Sequence, residues 1–291
     1  AKRKVIRAGR RGGKTIGMSI LAVEQFLKGH RILYGAPTTD QVDTFWRSCV
    51  NALADPIQAG LFVKNETEHS IELAGTEQRL RAKTAWNADT LRGDYADLLI
   101  LDEWQMMNED AWETVGVPML LDNNGDAVFI YTPPSMSRRA HSRARDPRHA
   151  AKMFKKASAD KTGRWGAFHF TSFDNPHLSK DALDEIALDM TALALRQEIY
   201  AEDIDAVPGA LWTLEELDAH RVSMGDVPEL IRIVVGVDPT GGVAEAGIVV
   251  AGIDAYGHGY VLHDGSLKGS PNAWGLKAVT LYNEYMADKI A

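Results

Sequence analysis

The stretch Ala8-Gly9-Arg10-Arg11-Gly12-Gly13-Lys14-Thr15 carries the residue types that hold a phosphate chain. It follows the strand-like Val5-Ile6-Arg7 and precedes a helix-like run over residues 16–27. In such a loop, successive backbone N–H groups and a helix N-terminus cradle the β- and γ-phosphates. Lys14 adds a point charge, and the Thr15 hydroxyl reaches Mg²⁺. Gly9, Arg10, Gly12 and Gly13 complete the candidate phosphate-contacting set. The first glycine of G-x-x-x-x-G-K-[ST] falls on Ala8, the smallest side chain that can replace it. In isolation the stretch also fits a basic turn that contains Gly-Gly-Lys-Thr, so its context decides.

The second chemical stretch is Leu98-Leu99-Ile100-Leu101-Asp102-Glu103, a continuous apolar run ending in two carboxylates. Such a run is the pattern of a central parallel strand, and open α/β sheets place ligands at its C-terminal end. Asp102 there would hold Mg²⁺, and Glu103 would act as general base or orient the water that attacks the γ-phosphate. Alone, the pair also fits a helix N-cap after an ordinary strand. Joined to the glycine-rich loop upstream, it indicates phosphate-chain hydrolysis. Asp126-Ala127-Val128-Phe129-Ile130-Tyr131 is a third apolar strand, ending in Thr132-Pro133-Pro134. Thr132 lies on the same predicted sheet edge, where its hydroxyl either senses the γ-phosphate, meets DNA-facing elements, or simply starts a loop before two prolines.

The elements that must position these residues read as an α/β fold. Residues 31–36 form a short apolar strand, and Pro37-Thr38-Thr39-Asp40 is a helix-start signal before Val42, Phe45, Trp46, Val50 and Leu53 at helical spacing. Strand, loop, helix, strand, helix makes a βαβα unit, hence a mainly parallel sheet buried on both faces. Residues 61–63 and 70–73 suggest a hairpin, and 79–85 a further strand. Residues 165–172 read as a strand with alternating aromatics. Residues 179–201 read as two amphipathic helices with Leu183, Ile186, Leu193, Leu195 and Ile199 inward.

Composition sets the outer limits. A chain of 291 residues, 45% hydrophobic and 25% charged, accommodates two globular domains. Its apolar runs stop far short of a membrane span, and Lys2-Arg3-Lys4 has no apolar segment behind it, so a cytosolic chain without a membrane partner is expected. The single cysteine, Cys49, excludes an internal disulfide and a cysteine-rich metal cluster, and reads as a small buried hydrophobe. A net charge of −8 argues against uniform coating of nucleic acid, yet the charge is uneven. Residues 138–164 hold Arg138, Arg139, Arg143, Arg145, Arg148, Lys152, Lys155, Lys156, Lys161 and Arg164 against Asp146 and Asp160. Residues 174–218 are strongly acidic. Two readings of the basic segment stand: contact with a phosphate backbone, or pairing with the acidic segment.

These motifs, taken in order, resemble those of the large terminase subunit of tailed bacteriophages, the ATPase that packages DNA into proheads. The resemblance rests on Gly9 to Thr15, on Ala36-Pro37-Thr38 with Gln41 and Trp46, and on Leu91-Arg92-Gly93 before Leu101-Asp102-Glu103. It continues through Thr132-Pro133, Asp174-Asn175-Pro176-His177-Leu178, Val237-Asp238-Pro239-Thr240 and Gly247-Ile248-Val249-Val250. It implies a P-loop NTPase core followed by a linker subdomain and the incomplete start of an RNase H-like domain, with expected bounds of 1–172, 173–228 and 229–291. Lys14 and Thr15 become the Walker A contacts, Asp102 and Glu103 the Walker B aspartate and catalytic glutamate, and Thr132 part of a coupling motif. The resemblance also suggests that Arg10 or Arg11 approaches the transferred phosphate within the same subunit. Arg11 beside developing negative charge is a plausible stabiliser, and equally a solvated loop charge.

The implied cofactors are ATP with Mg²⁺ in the motor, and Mg²⁺ or Mn²⁺ in the nuclease. The implied partners are double-stranded DNA, a portal protein, the small terminase subunit and further copies in a ring, in the cytoplasm of an infected bacterium. The family carries its adenine-binding element upstream of the loop, and only seven residues precede Ala8, so no adenine pocket is read from this sequence. In the last segment, residues 231–238, 247–253 and 260–264 read as three antiparallel strands before a helix with Trp274, Leu276, Val279, Leu281 and Tyr282. Asp238 matches the first metal-binding carboxylate of terminase nucleases. Two-metal sites need several converging carboxylates, and the family's next one lies beyond Ala291, so the 291-residue chain is expected not to cut DNA. Asp264 is a possible substitute but reads more simply as a turn residue before Gly265. His169, His258 and His263 lack metal-like spacing. The alternative function is a helicase-like nucleic-acid ATPase without a nuclease, which would carry a second RecA-like domain in place of the Asp238 strand.

Overall fold

The computed structural model describes residues 1–291 except 122, 134–141, 205–210 and 240–244. Pro134, Arg138, Arg139, the Pro208-Gly209 punctuation, Thr240 and Gly241-Gly242 therefore lie outside the described residues. Two compact units divide at residues 204 and 205.

The first unit opens with strand β1 (Arg3–Ala8), helix α1 (Lys14–Leu27), β2 (Ile32–Ala36), α2 (Thr39–Ala52) and the short α3 (Ala54–Gln58). A hairpin of β3 (Val63–Asn65) and β4 (Ser70–Glu72) leads to β5 (Arg79–Thr84), then β6 (Leu98–Leu101). A π-helical stretch, Ala111–Gly116, runs into α4 (Val117–Met119), followed by β7 (Asp126–Tyr131), α5 (His149–Ser158) and β8 (Trp165–Phe170). Helices α6 (Lys180–Leu188) and α7 (Ala192–Glu198) complete the unit. Its strands lie in the order β3-β4-β5-β2-β6-β7-β1-β8. From β5 to β8 every pairing is parallel, and β3 and β4 extend the sheet antiparallel, as the hairpin pattern predicted.

Why these residues make this sheet follows from their burial. All four residues of β6 and all five of β2 are buried, so neither strand can lie at an exposed edge. Successive side chains alternate between two cores. Tyr34, Ile100, Val128 and Ile130 join α1 and α2 residues such as Phe26 and Phe45 on one face. Leu33, Leu99, Leu101, Phe129 and Tyr131 meet Trp104, Trp112 and Ala150 on the other. At about 1.5–3 kcal/mol per buried large side chain, the strands that carry the chemical residues are also the most strongly held. Helix α2 starts where its sequence says: the Thr38 N–H donates to Gln41 Oε1 at 3.1 Å. Cys49 is fully buried on α2, and burial pushes its thiol up to about 12. Helix α6 differs from expectation. Leu183 is buried but Ile186 is 53% exposed, because α6 packs at the margin of the unit through one turn only.

The second unit contains α8 (Leu214–Ala219), strands β9 (Leu230–Asp238), β10 (Gly247–Asp254) and β11 (Gly259–Asp264), helix α9 (Pro271–Glu284) and β12 (Lys289–Ile290). The first three strands are antiparallel neighbours and β12 pairs parallel to β9, in the order β11-β10-β9-β12. Val235, Ile248 and Val250 pack against Ala278 and Leu281 of α9. Among the described residues no helix is long and apolar enough to cross a membrane.

Candidate nucleotide site

The parallel strands β1, β7 and β6 place their C-terminal ends on one edge, where Ala8, Thr132 and Asp102 stand side by side. The loop between β1 and α1 is shaped by two glycines. Gly13 sits at φ 78° as the N-cap of α1, in left-handed space that a side chain would strain. Gly9 is packed so closely that an added Cβ would lie 2.5 Å from the Ile199 carbonyl and 2.6 Å from Ser172 Oγ. Behind Gly13, the first N–H groups of α1 have no carbonyl of their own, as at any helix start, and α1 has no side-chain cap. Donors and positive dipole thus converge where an anion would sit.

Lys14 Nζ turns back into this pocket. It donates to Thr132 Oγ1 at 2.7 Å and to the Gly9 carbonyl at 3.1 Å, while Thr132 donates to the Ala8 carbonyl at 3.0 Å. Thr15 donates to Asp102 Oδ2 at 3.0 Å. Asp102 is almost fully buried and collects two more donors, Tyr34 OH at 2.8 Å and the Glu103 N–H at 2.9 Å. Burial, and next the charge of Asp102, hold the Tyr34 hydroxyl far above its usual range, so it stays a donor. Glu103 follows in a left-handed backbone conformation, φ 52°, with its Oε2 accepting from Gln105 Nε2 at 2.6 Å. Burial first, and the neighbouring Asp102 second, raise the Glu103 carboxyl above the usual carboxylate range. A carboxylate with a raised pKa is a better proton acceptor.

The predicted residues Gly9, Gly12, Gly13, Lys14, Thr15, Asp102, Glu103 and Thr132 are therefore brought together. The two arginines divide. Arg10 points to Glu198, with Nε 2.6 Å from Oε2, and that hydrogen bond raises its pKa. Arg11 is exposed, at φ 60°. Asp238 ends β9 in the second unit, exposed and opposite Gly247. Among the described residues no group of three His, Cys, Asp or Glu side chains converges as a metal site would require. Thr15 and Asp102 do form a hydroxyl and carboxylate pair, which suits Mg²⁺ because that ion takes few protein ligands and fills its shell with phosphate oxygens and water.

Several contributors escaped the sequence reading. Tyr34 anchors Asp102, and Gln105 holds Glu103. Ser172 donates to the Arg10 carbonyl at 2.6 Å, and Asn175 Nδ2 to the Arg11 carbonyl at 2.7 Å. The backbone of Glu198 accepts from the Arg10 N–H at 2.6 Å. Ser172 at the end of the expected core, and Asn175 and Glu198 of the segment expected as linker, thus brace the glycine-rich loop, and the Asp174-Asn175-Pro176 motif was the one sequence signal of this. Arg145 of the basic segment meets Asp110 at 3.0 Å, Glu109 and Glu113, none of which lies in the acidic segment 174–218. Lys152 pairs with Asp146 at 2.8 Å, and Arg143 lies over Trp86.

No protein-family profile matches this chain, and no curated protein does. Solved structures do. The ATPase domain of the Thermus phage P74-26 large terminase superposes with a TM-score of 0.56 at 22% identity, covering 70% of this chain and 89% of that one. The large terminase of a thermophilic bacteriophage matches with a TM-score of 0.52 at 15% identity, over 97% of this chain and 69% of its own. That of bacteriophage HK97 matches with a TM-score of 0.57 at 13% identity, over 100% and 66%. The chain therefore has the α/β fold of these phage large terminases, with the candidate residues gathered at one edge of its mainly parallel sheet.

Proposed function

We propose that this chain is a large terminase subunit, an ATP-hydrolysing motor that drives double-stranded DNA into a phage prohead. The observation that carries the reading is the convergence of Lys14, Thr15, Asp102 and Thr132 beside Glu103, on a fold shared with terminase ATPase domains. The large terminase of the thermophilic bacteriophage is known in complex with ADP and with ATP-gamma-S, which supports a nucleotide at the corresponding edge here.

In this reading the glycine loop and the start of α1 bind the phosphates through backbone N–H groups. Lys14 leaves Thr132 and the loop carbonyls to meet the β- and γ-phosphates, so Thr132 registers whether a γ-phosphate is present. Thr15 and Asp102 would hold Mg²⁺, which would supply positive charge against the phosphate oxygens. Tyr34 and the Glu103 N–H keep Asp102 oriented. Glu103 orients a water and accepts its proton, for which a raised pKa suits it. Arg11, exposed on the loop, is the candidate for stabilising developing charge, once it swings towards the phosphate. For the remainder, residues 1–172 would be the motor core, 173–228 a linker and lid, and 229–291 the first part of an RNase H-like nuclease in which Asp238 supplies one metal carboxylate.

The experiment is ATP hydrolysis by the purified chain with and without double-stranded DNA. The parent should hydrolyse ATP and be stimulated by DNA, and Lys14→Ala should lose at least about a hundredfold, the scale of removing one preorganised charge contact. Equal turnover in Lys14→Ala would overturn the assignment.

A further inference from the structure

Glu103 occupies a backbone conformation that a non-glycine residue adopts only when its surroundings impose it, at φ 52°. Two contacts come from its own turn: the Glu103 N–H donates to Asp102 Oδ1, and its carbonyl accepts from the Met106 N–H at 2.9 Å. The others come from residues 142–149, some forty positions later in sequence. Ser142 Oγ donates to the Gln105 carbonyl at 3.3 Å, and the Arg143 N–H to the Met106 carbonyl at 2.9 Å. The Glu109 carboxylate accepts the N–H groups of Arg145 at 3.0 Å and Asp146 at 2.8 Å. The chain after β7 is thereby laced along the turn that follows β6.

His149 makes the contact nearest Glu103. Its ring is buried, lies edge-on to Trp104 with centroids 4.8 Å apart, and places Nε2 2.9 Å from the Trp104 carbonyl. Nδ1 lies 2.9 Å from the Asp146 carbonyl. Both partners are carbonyls, which only accept, so a neutral imidazole donates to one of them, and with its proton on Nε2 it donates to Trp104. The Trp104 carbonyl lies one peptide beyond the one that leaves Glu103 and also accepts the Met107 N–H at 3.1 Å, so losing the imidazole removes one of the two donors that hold the turn carrying Glu103. Lys14 and Thr15 belong to α1, and Asp102 keeps its bonds from Thr15 and Tyr34, so these groups stay in place.

We infer that His149 is a positioning residue for Glu103: its Nε2–H, donated to the Trp104 carbonyl, fixes the left-handed turn that aims the catalytic carboxylate. The inference rests on the hydrolytic role proposed above for Glu103. It is tested by a double-mutant cycle of His149→Phe and Glu103→Gln, measuring kcat, KM and ADP affinity, with single-turnover rates for the slow variants. His149→Phe keeps the aromatic edge contact and removes both ring nitrogens. Its kcat should fall roughly tenfold to a hundredfold, the scale of an ångström-sized misplacement, with KM and ADP affinity within about twofold of the parent. In the Glu103→Gln background the same substitution should change nothing further, because the group it positions is already gone. His149→Gln, whose amide can still donate to Trp104, should recover most of the lost kcat. An unchanged kcat in folded His149→Phe, an equal fractional loss in the Glu103→Gln background, or a parallel loss of ADP affinity would overturn the role. If His149→Phe does not fold, His149→Asn, too short to reach Trp104, carries the same expectations. Parent-like turnover by Glu103→Gln alone would overturn the hydrolytic reading, and the positioning role with it.

Discussion

At the scale of single residues, the site sets chemistry against stability. Folding raises the pKa of Glu103 by burying it next to Asp102, so the folded chain binds that proton more tightly than the unfolded chain does. The resulting cost is absent below the ordinary glutamate range, about pH 4, and grows as pH rises through the raised value. Glu103→Gln should therefore melt at a higher temperature than the parent at neutral pH, and the difference should close towards acid pH in a calorimetric series. A constant difference at all pH values would show that the Glu103 charge is not what burial penalises. Gly9 shows the opposite case, in which close packing leaves no room for change. Gly9→Ala forces a methyl against the Ile199 carbonyl and Ser172, and should cost about 1–3 kcal/mol in urea unfolding. Lys14, Thr15, Asp102 and Glu103 were legible in the sequence because their chemistry is concentrated in contiguous motifs. Tyr34 and Ser172 were not, since one tyrosine on a buried strand and one serine after an aromatic strand carry no signal until the fold sets them against Asp102 and Arg10.

Among the elements, legibility followed burial. Strands β2, β6 and β7 are buried along nearly their whole length and read directly as apolar runs. The π-helical turn over Ala111–Gly116 did not, because its widened hydrogen-bonding pattern depends on packing over the sheet and on the approach to Pro118, which has no N–H to donate. Helix α6 misled for a related reason: its apolar spacing is regular, but little of the unit lies over it. Strand β5 depends on electrostatics as well as packing. Arg79, Arg81 and Lys83 point the same way at alternate positions and all meet Asp94, whose side chain is 4% exposed. Removing this buried anion leaves Arg79 and Lys83 facing Arg81, which keeps only the exposed Glu68, so Asp94→Ala should destabilise the first unit by roughly 3 kcal/mol or more. Unfolding in urea at low and high salt checks this, with the loss expected to shrink as salt screens the remaining repulsion.

For the whole molecule, the candidate nucleotide site lies within residues 1–204, whereas Asp238 and its sheet belong to residues 205–291. A ligand that binds only the folded first unit stabilises that unit by mass action. Hydrogen exchange with saturating ADP and Mg²⁺ should therefore slow in β1, α1 and β6 and stay unchanged in β9 to β11. Equal protection of both units would show that nucleotide binding reaches the second sheet. The central claim, that this edge hydrolyses ATP with Glu103 as the base, is tested most directly by one measurement on Glu103→Gln: nucleotide retained against phosphate released after mixing with ATP and Mg²⁺. Retained, unhydrolysed ATP at about one per chain, with phosphate release at least a hundredfold slower than the parent's, is the predicted result. Phosphate release at the parental rate would contradict it.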